Sequence, residues 1–207
     1  MINKPYAESC DRNAAQILAV IRQKFSGAGE ILEIGSGTGQ HAVYFAEAMP
    51  SIRWQTSDQN EMHAGIQMWL DDAGANNILP PLSLDVVVEQ DWPVRKFDGV
   101  FSANTAHIMA KDAVAKMFTG VARVLKPEGL FLLYGPYMYQ GKHTSESNEL
   151  FDRRLRLRQP QSGVRDLEWL REIAAKVGLI LLEDVEMPAN NRILIWGLAR
   201  DSQQESD

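Results

Sequence analysis

Apolar residues recur along this chain with two periods, and the two alternate. Ile17, Leu18, Val20, Ile21 and Phe25 fall at near-helical spacing, which predicts a helix over residues 9–25 that Ser9 or Asp11 would cap. Short apolar runs with β-branched and aromatic content follow at 30–35, 52–58, 77–86, 96–104 and 130–137, and these predict strands. Between them stand three segments of helical period: 40–50, closed by Pro50; 61–74, closed by Gly74; and 113–129, with Pro127 and Gly129 as its stop signal. Strands that alternate with helices imply βαβ units, a mostly parallel sheet and helices on both faces. The last third changes character. A helix at 166–178 precedes two strands, 179–188 and 191–200, joined by so short a turn that they must form an antiparallel hairpin. This pattern predicts one domain over 1–200 with a helical cap at about 1–28, and a polar disordered tail at 201–207.

The first strand runs into "GSGTG", with Gly35, Gly37 and Gly39 at alternate positions and a helix directly after. Glycines there let backbone turn tightly and let a ligand approach without a Cβ in the way. The dinucleotide fingerprint G-x-G-x-x-G requires a third glycine where Gln40 stands, and no Walker Lys–Ser/Thr pair is present. Glu33, two places before the loop, would repel a pyrophosphate and favour an amino group. Asp58 ends the second strand, where a carboxylate accepts hydrogen bonds from ribose hydroxyls. Asp85 ends the third, placed for an adenine amino group, with the Val86 amide beside it for a ring nitrogen. Any one of these acids alone reads equally as a loop cap. The three at successive strand ends, together with the glycine loop, read as a site.

Composition narrows the partners. The 207 residues carry a net charge of −6, which argues against a long nucleic-acid footprint. No apolar stretch is long enough to span a membrane, and the charged N-terminus does not read as a secretory signal. The single cysteine, Cys10, has no internal disulfide partner, reads as a packed residue, and points to a cytoplasmic location. Scattered histidines and the lack of a C-x-x-C or H-E-x-x-H motif suggest no metal site. The run of Arg153, Arg154, Arg156 and Arg158 reads as a solvated helix face, or as a grip on an acidic substrate.

"LEIGSGTG", "SD" ending the second strand and "LDV" after the third resemble class I S-adenosylmethionine-dependent methyltransferases, as does the terminal hairpin. More narrowly, "KPYAESCDRNAAQIL", "NTAHI", "GPY" and "MPANN" resemble an uncharacterised methyltransferase-like family of bacteria and animals. The resemblance implies an α/β fold with a doubly wound, mostly parallel seven-stranded sheet, its seventh strand inserted antiparallel beside the sixth. It implies S-adenosyl-L-methionine as the methyl donor and assigns no acceptor; the leading expectation is a small-molecule one. Gly35, Ser36, Gly37 and Gly39 would lie along the methionine part, with Glu33 toward its amino group. Asp58 would take the ribose, Gln59 would flank the adenine, and Asp85 with Val86 would read its edge. Asn104, ending the fourth strand, would meet the methionine end.

The acceptor side is less defined. Adenine-base methyltransferases carry [DN]-P-P-[YFW] after the fourth strand, and here "NTAH" departs from it. His107 is the base candidate, because imidazole titrates near neutral pH, with packing as the alternative. His41 reads as a packed or cofactor-side residue. Tyr6, Arg12, Asn13, Tyr137, Tyr139, Asn190 and Asn191 are candidates for the substrate pocket, and "YMYQGKHTSESNELF" for a lid hinged at Gly141. A non-catalytic adenosyl-binding module on the same fold is the alternative to an enzyme, and a nicotinamide-dependent oxidoreductase a weaker one.

Overall fold

A computed structural model describes residues 4–199, so the tail expected at 201–207 lies outside the described residues. The chain opens with α1 (Glu8–Lys24), β1 (Glu30–Glu33), α2 (Gln40–Ala48), β2 (Arg53–Asp58), α3 (Asn60–Asp72) and β3 (Ile78–Ser83). It continues through β4 (Phe97–Ala103), α4 (Lys111–Val124) and β5 (Leu125–Gly135). Three short strands, β6 (Tyr137–Tyr139), β7 (Lys142–His143) and β8 (Arg165–Asp166), surround α5 (Glu146–Arg158). The chain closes with α6 (Leu167–Ala175), β9 (Leu179–Met187) and β10 (Asn191–Leu198).

Seven strands form one sheet in the order β3-β2-β1-β4-β5-β10-β9. All neighbours pair in parallel up to β5, and β10 lies antiparallel between β5 and β9. The hairpin turn carries Ala189 and Asn190 both at φ 57°, the left-handed pair that a two-residue hairpin requires. Strand order reverses between β1 and β4, which opens a crevice beyond their C-terminal ends.

Both faces of the sheet are covered, which is why its strands read as continuous apolar runs. Ile31, Phe101 and Leu132 turn to one face, under α1 and α2. Their neighbours Leu32, Val100 and Phe131 turn to the other, under α4 and α6. The alternation follows from the two-residue period of a strand. Ile17 and Ile21 anchor α1 at full burial, each contributing about 1.5–3 kcal/mol.

Two expectations are corrected. The helix expected at 113–129 stops at Val124, and Leu125 to Gly135 is strand. Pro127 cannot donate to a helix ladder. The pairing slips here, with Phe97 opposite Leu125 but Gly99 opposite Leu130. Gly129 turns back at the slip, where a Cβ would come within 2.7 Å of Leu125. The segment expected as a hinged lid is instead the β6–β7 hairpin followed by α5. Gly141 sits at its turn with φ 72°, and its N–H donates to Asp166. The arginine run lies on α5. Arg153 pairs with Glu149, and Arg156 with Asp152, which also accepts from the Val164 amide.

Candidate active site

The glycine loop is held from below and from both sides. Glu33 is buried, and its Oε2 accepts from Ser36 Oγ at 2.8 Å and Trp54 Nε1 at 3.1 Å. Burial pushes its carboxyl up to about 7, against the lowering effect of those two bonds. Asp58 joins the loop to β2: its two oxygens accept from the Gly37 and Gln59 amides, each at 2.8 Å. Burial raises the Asp58 carboxyl above its ordinary value, and the two amides oppose the rise. The β4 loop packs on Gly35, where a Cβ would stand 2.6 Å from the Thr105 methyl. At Gly37 a Cβ would meet nothing within 4 Å, so that side of the loop faces open space.

That space is a cavity of about 660 Å³ beyond the ends of β1 to β4. Gly35, Gly37, Asp58, Gln59, Asp85, Val86 and Asn104 line it together, so seven of the ten cofactor candidates meet at one site. Gln59 Nε2 donates to Asp85 at 3.1 Å, which ties the ends of β2 and β3. The other three stand apart from the lining. Glu33 and Ser36 hold each other beneath the loop. Gly39 takes φ 91° as the N-cap of α2 and abuts α3, where a Cβ would sit 3.2 Å from Ile66.

A second cavity, of about 280 Å³, adjoins the first at Asn104. Arg12 and Asn13 line it from α1, and Asn191 from the hairpin, together with Ser9, Gln16 and Tyr134. Asn104 itself has φ 60°, in the left-handed region that Asn tolerates better than most residues. Its N–H donates to the Tyr134 carbonyl.

Five acceptor-side candidates are not brought to either cavity. His107 is buried and stacks edge-on against Phe151, with ring centroids 5.1 Å apart. Burial, aided by the nearby Arg165 charge, lowers its pKa to about 4, so it is a weak base. Tyr137 is a core residue whose hydroxyl donates to the Leu133 carbonyl. Tyr6 is exposed and donates to Asp11. Asn190 turns its carbonyl to Asn148 Nδ2 at 3.0 Å. Tyr139 is likewise engaged, with Asp184.

Two residues outside the predicted site belong to it: Gln40 ties its parts together, and Tyr134 lines the second cavity. Gln40 marks a missing glycine in the sequence pattern. In the fold its Oε1 accepts from the Ala7 amide and Thr38, and its Nε2 donates to Asp11, so it ties the start of α1 to the loop. Tyr134 was hidden in an apolar run. Its signal is a polar-tipped residue at the C-terminal end of a strand next to the switch point.

A family model described as a protein of unknown function (DUF938) matches residues 4–197. This chain belongs to the DUF938 family. No activity comes with that description, so solved structures supply the context. Mitomycin 7-O-methyltransferase MmcR superposes with a TM-score of 0.81 at 19% identity, over 92% of this chain and 54% of its own. Human N-acetylserotonin methyltransferase, solved in complex with S-adenosylmethionine, gives 0.79 at 14% identity, over 93% and 53%. CalO1, a methyltransferase in calicheamicin biosynthesis in its S-adenosylhomocysteine-bound form, gives 0.74 at 19%, over 91% and 54%. The DUF938 chain therefore has the class I S-adenosylmethionine-dependent methyltransferase fold, and it spans about half the length of these structures. No described helix is long and apolar enough to cross a membrane.

Proposed function

We propose that this DUF938 chain is an S-adenosylmethionine-dependent methyltransferase with a small-molecule acceptor. The observation that carries the reading is the first cavity, which runs from the glycine loop past Asp58 to Asp85 and Val86. These residues suit an amino acid joined to a nucleoside. The open face at Gly37 gives backbone for close approach, Asp58 offers a carboxylate to ribose hydroxyls, and Asp85 offers one to an exocyclic amine. Glu33, ionised, places negative charge behind the loop, opposite in sign to an ammonium group. The bound donor supplies an activated methyl on a sulfonium. The protein's remaining task is then orientation and exclusion of water. Asn104 sits between the two cavities and is placed to position both ligands.

The structural neighbours whose names specify donor or acceptor chemistry support the donor side of this reading, and their large acceptors are not carried over. The test is transfer of label from methyl-labelled S-adenosylmethionine into the small-metabolite fraction of a cell extract. Label in an acceptor, with stoichiometric S-adenosylhomocysteine, is the expected result. Intact donor binding without any transfer would instead identify an adenosyl-binding module.

A further inference from the structure

The second cavity has a one-sided chemistry. Ser9, Arg12, Asn13 and Gln16 recur at i, i+3, i+4 and i+7 and form one polar stripe of α1, opposite the apolar stripe of Ala14, Ile17 and Ile21. The facing wall holds Asn104, Tyr134 and Asn191. The one formal charge among the lining residues is the Arg12 guanidinium, which also meets Glu8 at 3.0 Å on the outer surface.

The donors on this wall are oriented from behind. His41 Nε2 lies 2.7 Å from Asn13 Oδ1, and burial lowers the His41 pKa to about 4, which keeps its ring neutral. The His41 ring thus contacts Asn13 from one side, and Asn13 is hydrogen-bonded to Tyr134 on the other. Tyr134 lines the cavity beside Asn13. Burial raises the Tyr134 pKa, so it stays a phenol. Tyr134 and Arg12 thus both present hydrogen-bond donors.

Among the described residues, no base stands where one would act. Asp58, Glu61 and Asp85 belong to the β2 and β3 half of the first cavity, across the switch point from Tyr134. His107 lines neither cavity, and His41 stands behind Asn13. An acceptor bound beside Asn104 then needs a nucleophile that reacts without a base, and the Arg12 guanidinium selects an anionic one, a carboxylate, over a neutral amine.

We infer that the second cavity takes a small carboxylic acid, held by Arg12 and Tyr134, and that a carboxylate oxygen is the methyl acceptor. This rests on the methyltransferase reading above. The carboxylate oxygen forms the bond to the methyl carbon, the methyl–sulfur bond breaks, and its electron pair stays on sulfur. No proton moves, and the product is a methyl ester. At about 280 Å³ the cavity lies at the lower end of ligand-site volumes, roughly 300–1,000 Å³, which limits the acid to metabolite size.

The test has two parts. Label transferred into the small-metabolite fraction of an extract is treated with base, which hydrolyses methyl esters to volatile labelled methanol. Base-labile label is expected. Base-stable label overturns this inference and leaves the methyltransferase reading standing. No label, with donor binding intact, overturns both. Binding is read separately, by calorimetry of the S-adenosylhomocysteine-saturated protein against short-chain mono- and dicarboxylic acids, each paired with its primary amide. Selective binding of acids is expected, weakened about tenfold by Arg12→Ala and by Tyr134→Phe, with S-adenosylhomocysteine affinity unchanged. Amides that bind as well as the acids, or variants that bind them like the wild type, overturn it.

Discussion

At the scale of the residue, Glu33 is a carboxyl whose burial shifts it far from its type. Burial raises its carboxyl from 4.5 to about 7, and Trp54 and Ser36 offset only part of that. A carboxyl raised in the folded state favours folding while protonated. Its contribution is fully present below about 4.5 and is lost as pH rises through about 7. Glu33→Gln removes this slope. Denaturant unfolding should show the variant close to wild type near pH 4 and more stable by roughly 3 kcal/mol near pH 8, at about 1.4 kcal/mol per pH unit. The same variant should bind S-adenosylmethionine more weakly, because the ionised carboxylate is what the ammonium would meet. A stability difference that does not change with pH would contradict this. The importance of Glu33 was legible in the sequence from its place before the glycines. Its burial was not, because the partner that seals it, Trp54, lies on the neighbouring strand. His107 shows the reverse. Its residue type suggested a base, and tertiary packing against Phe151 removed it from the site.

At the scale of the element, legibility followed apolar periodicity. The central strands of the main sheet and the helices α1, α2, α3, α4 and α6 bury apolar residues at regular spacing, and these were readable, as were the less buried edge strands β3 and β9 from their apolar and β-branched content. Helix α5 was not, because its buried residues are the polar Asn148 and Asp152, held by hydrogen bonds that no hydropathy pattern encodes. A second unreadable contact is the approach of Trp92 to α4. A Cβ at Gly120 would come within 2.1 Å of the indole, which sits over the helix where its Nε1 donates to the Val86 carbonyl. Helix propensity alone predicts that Gly120→Ala gains about 1 kcal/mol. Overpacking predicts a loss of about 1–3 kcal/mol, because the buried indole must shift off its Val86 hydrogen bond to admit the methyl. Thermal unfolding should therefore show a lower Tm for Gly120→Ala. A raised Tm would mean that the ring yields. Because Val86 lines the first cavity, the variant should also weaken donor binding.

At the scale of the whole molecule, the sheet order places the two cavities on one edge. β1 to β3 end at the larger cavity, with its carboxylates. Beyond the switch point, β5 and the β9–β10 turn end at the smaller one, with its amides and Arg12. Gln40 and the His41–Asn13 contact hold α1 across them as a wall. The sequence revealed the donor half because its residues follow one another at strand ends. It hid most of the acceptor half, which is assembled from α1, β5 and the terminal turn, segments far apart in the chain. The central claim is that the larger cavity holds S-adenosylmethionine through Asp58. Titration calorimetry of the wild type and Asp58→Ala against S-adenosylmethionine, S-adenosylhomocysteine and NAD tests it most directly. The account predicts binding of the first two and not of NAD, weakened about tenfold to a hundredfold in the variant. Equal affinity in the two proteins, or a preference for NAD, would contradict it.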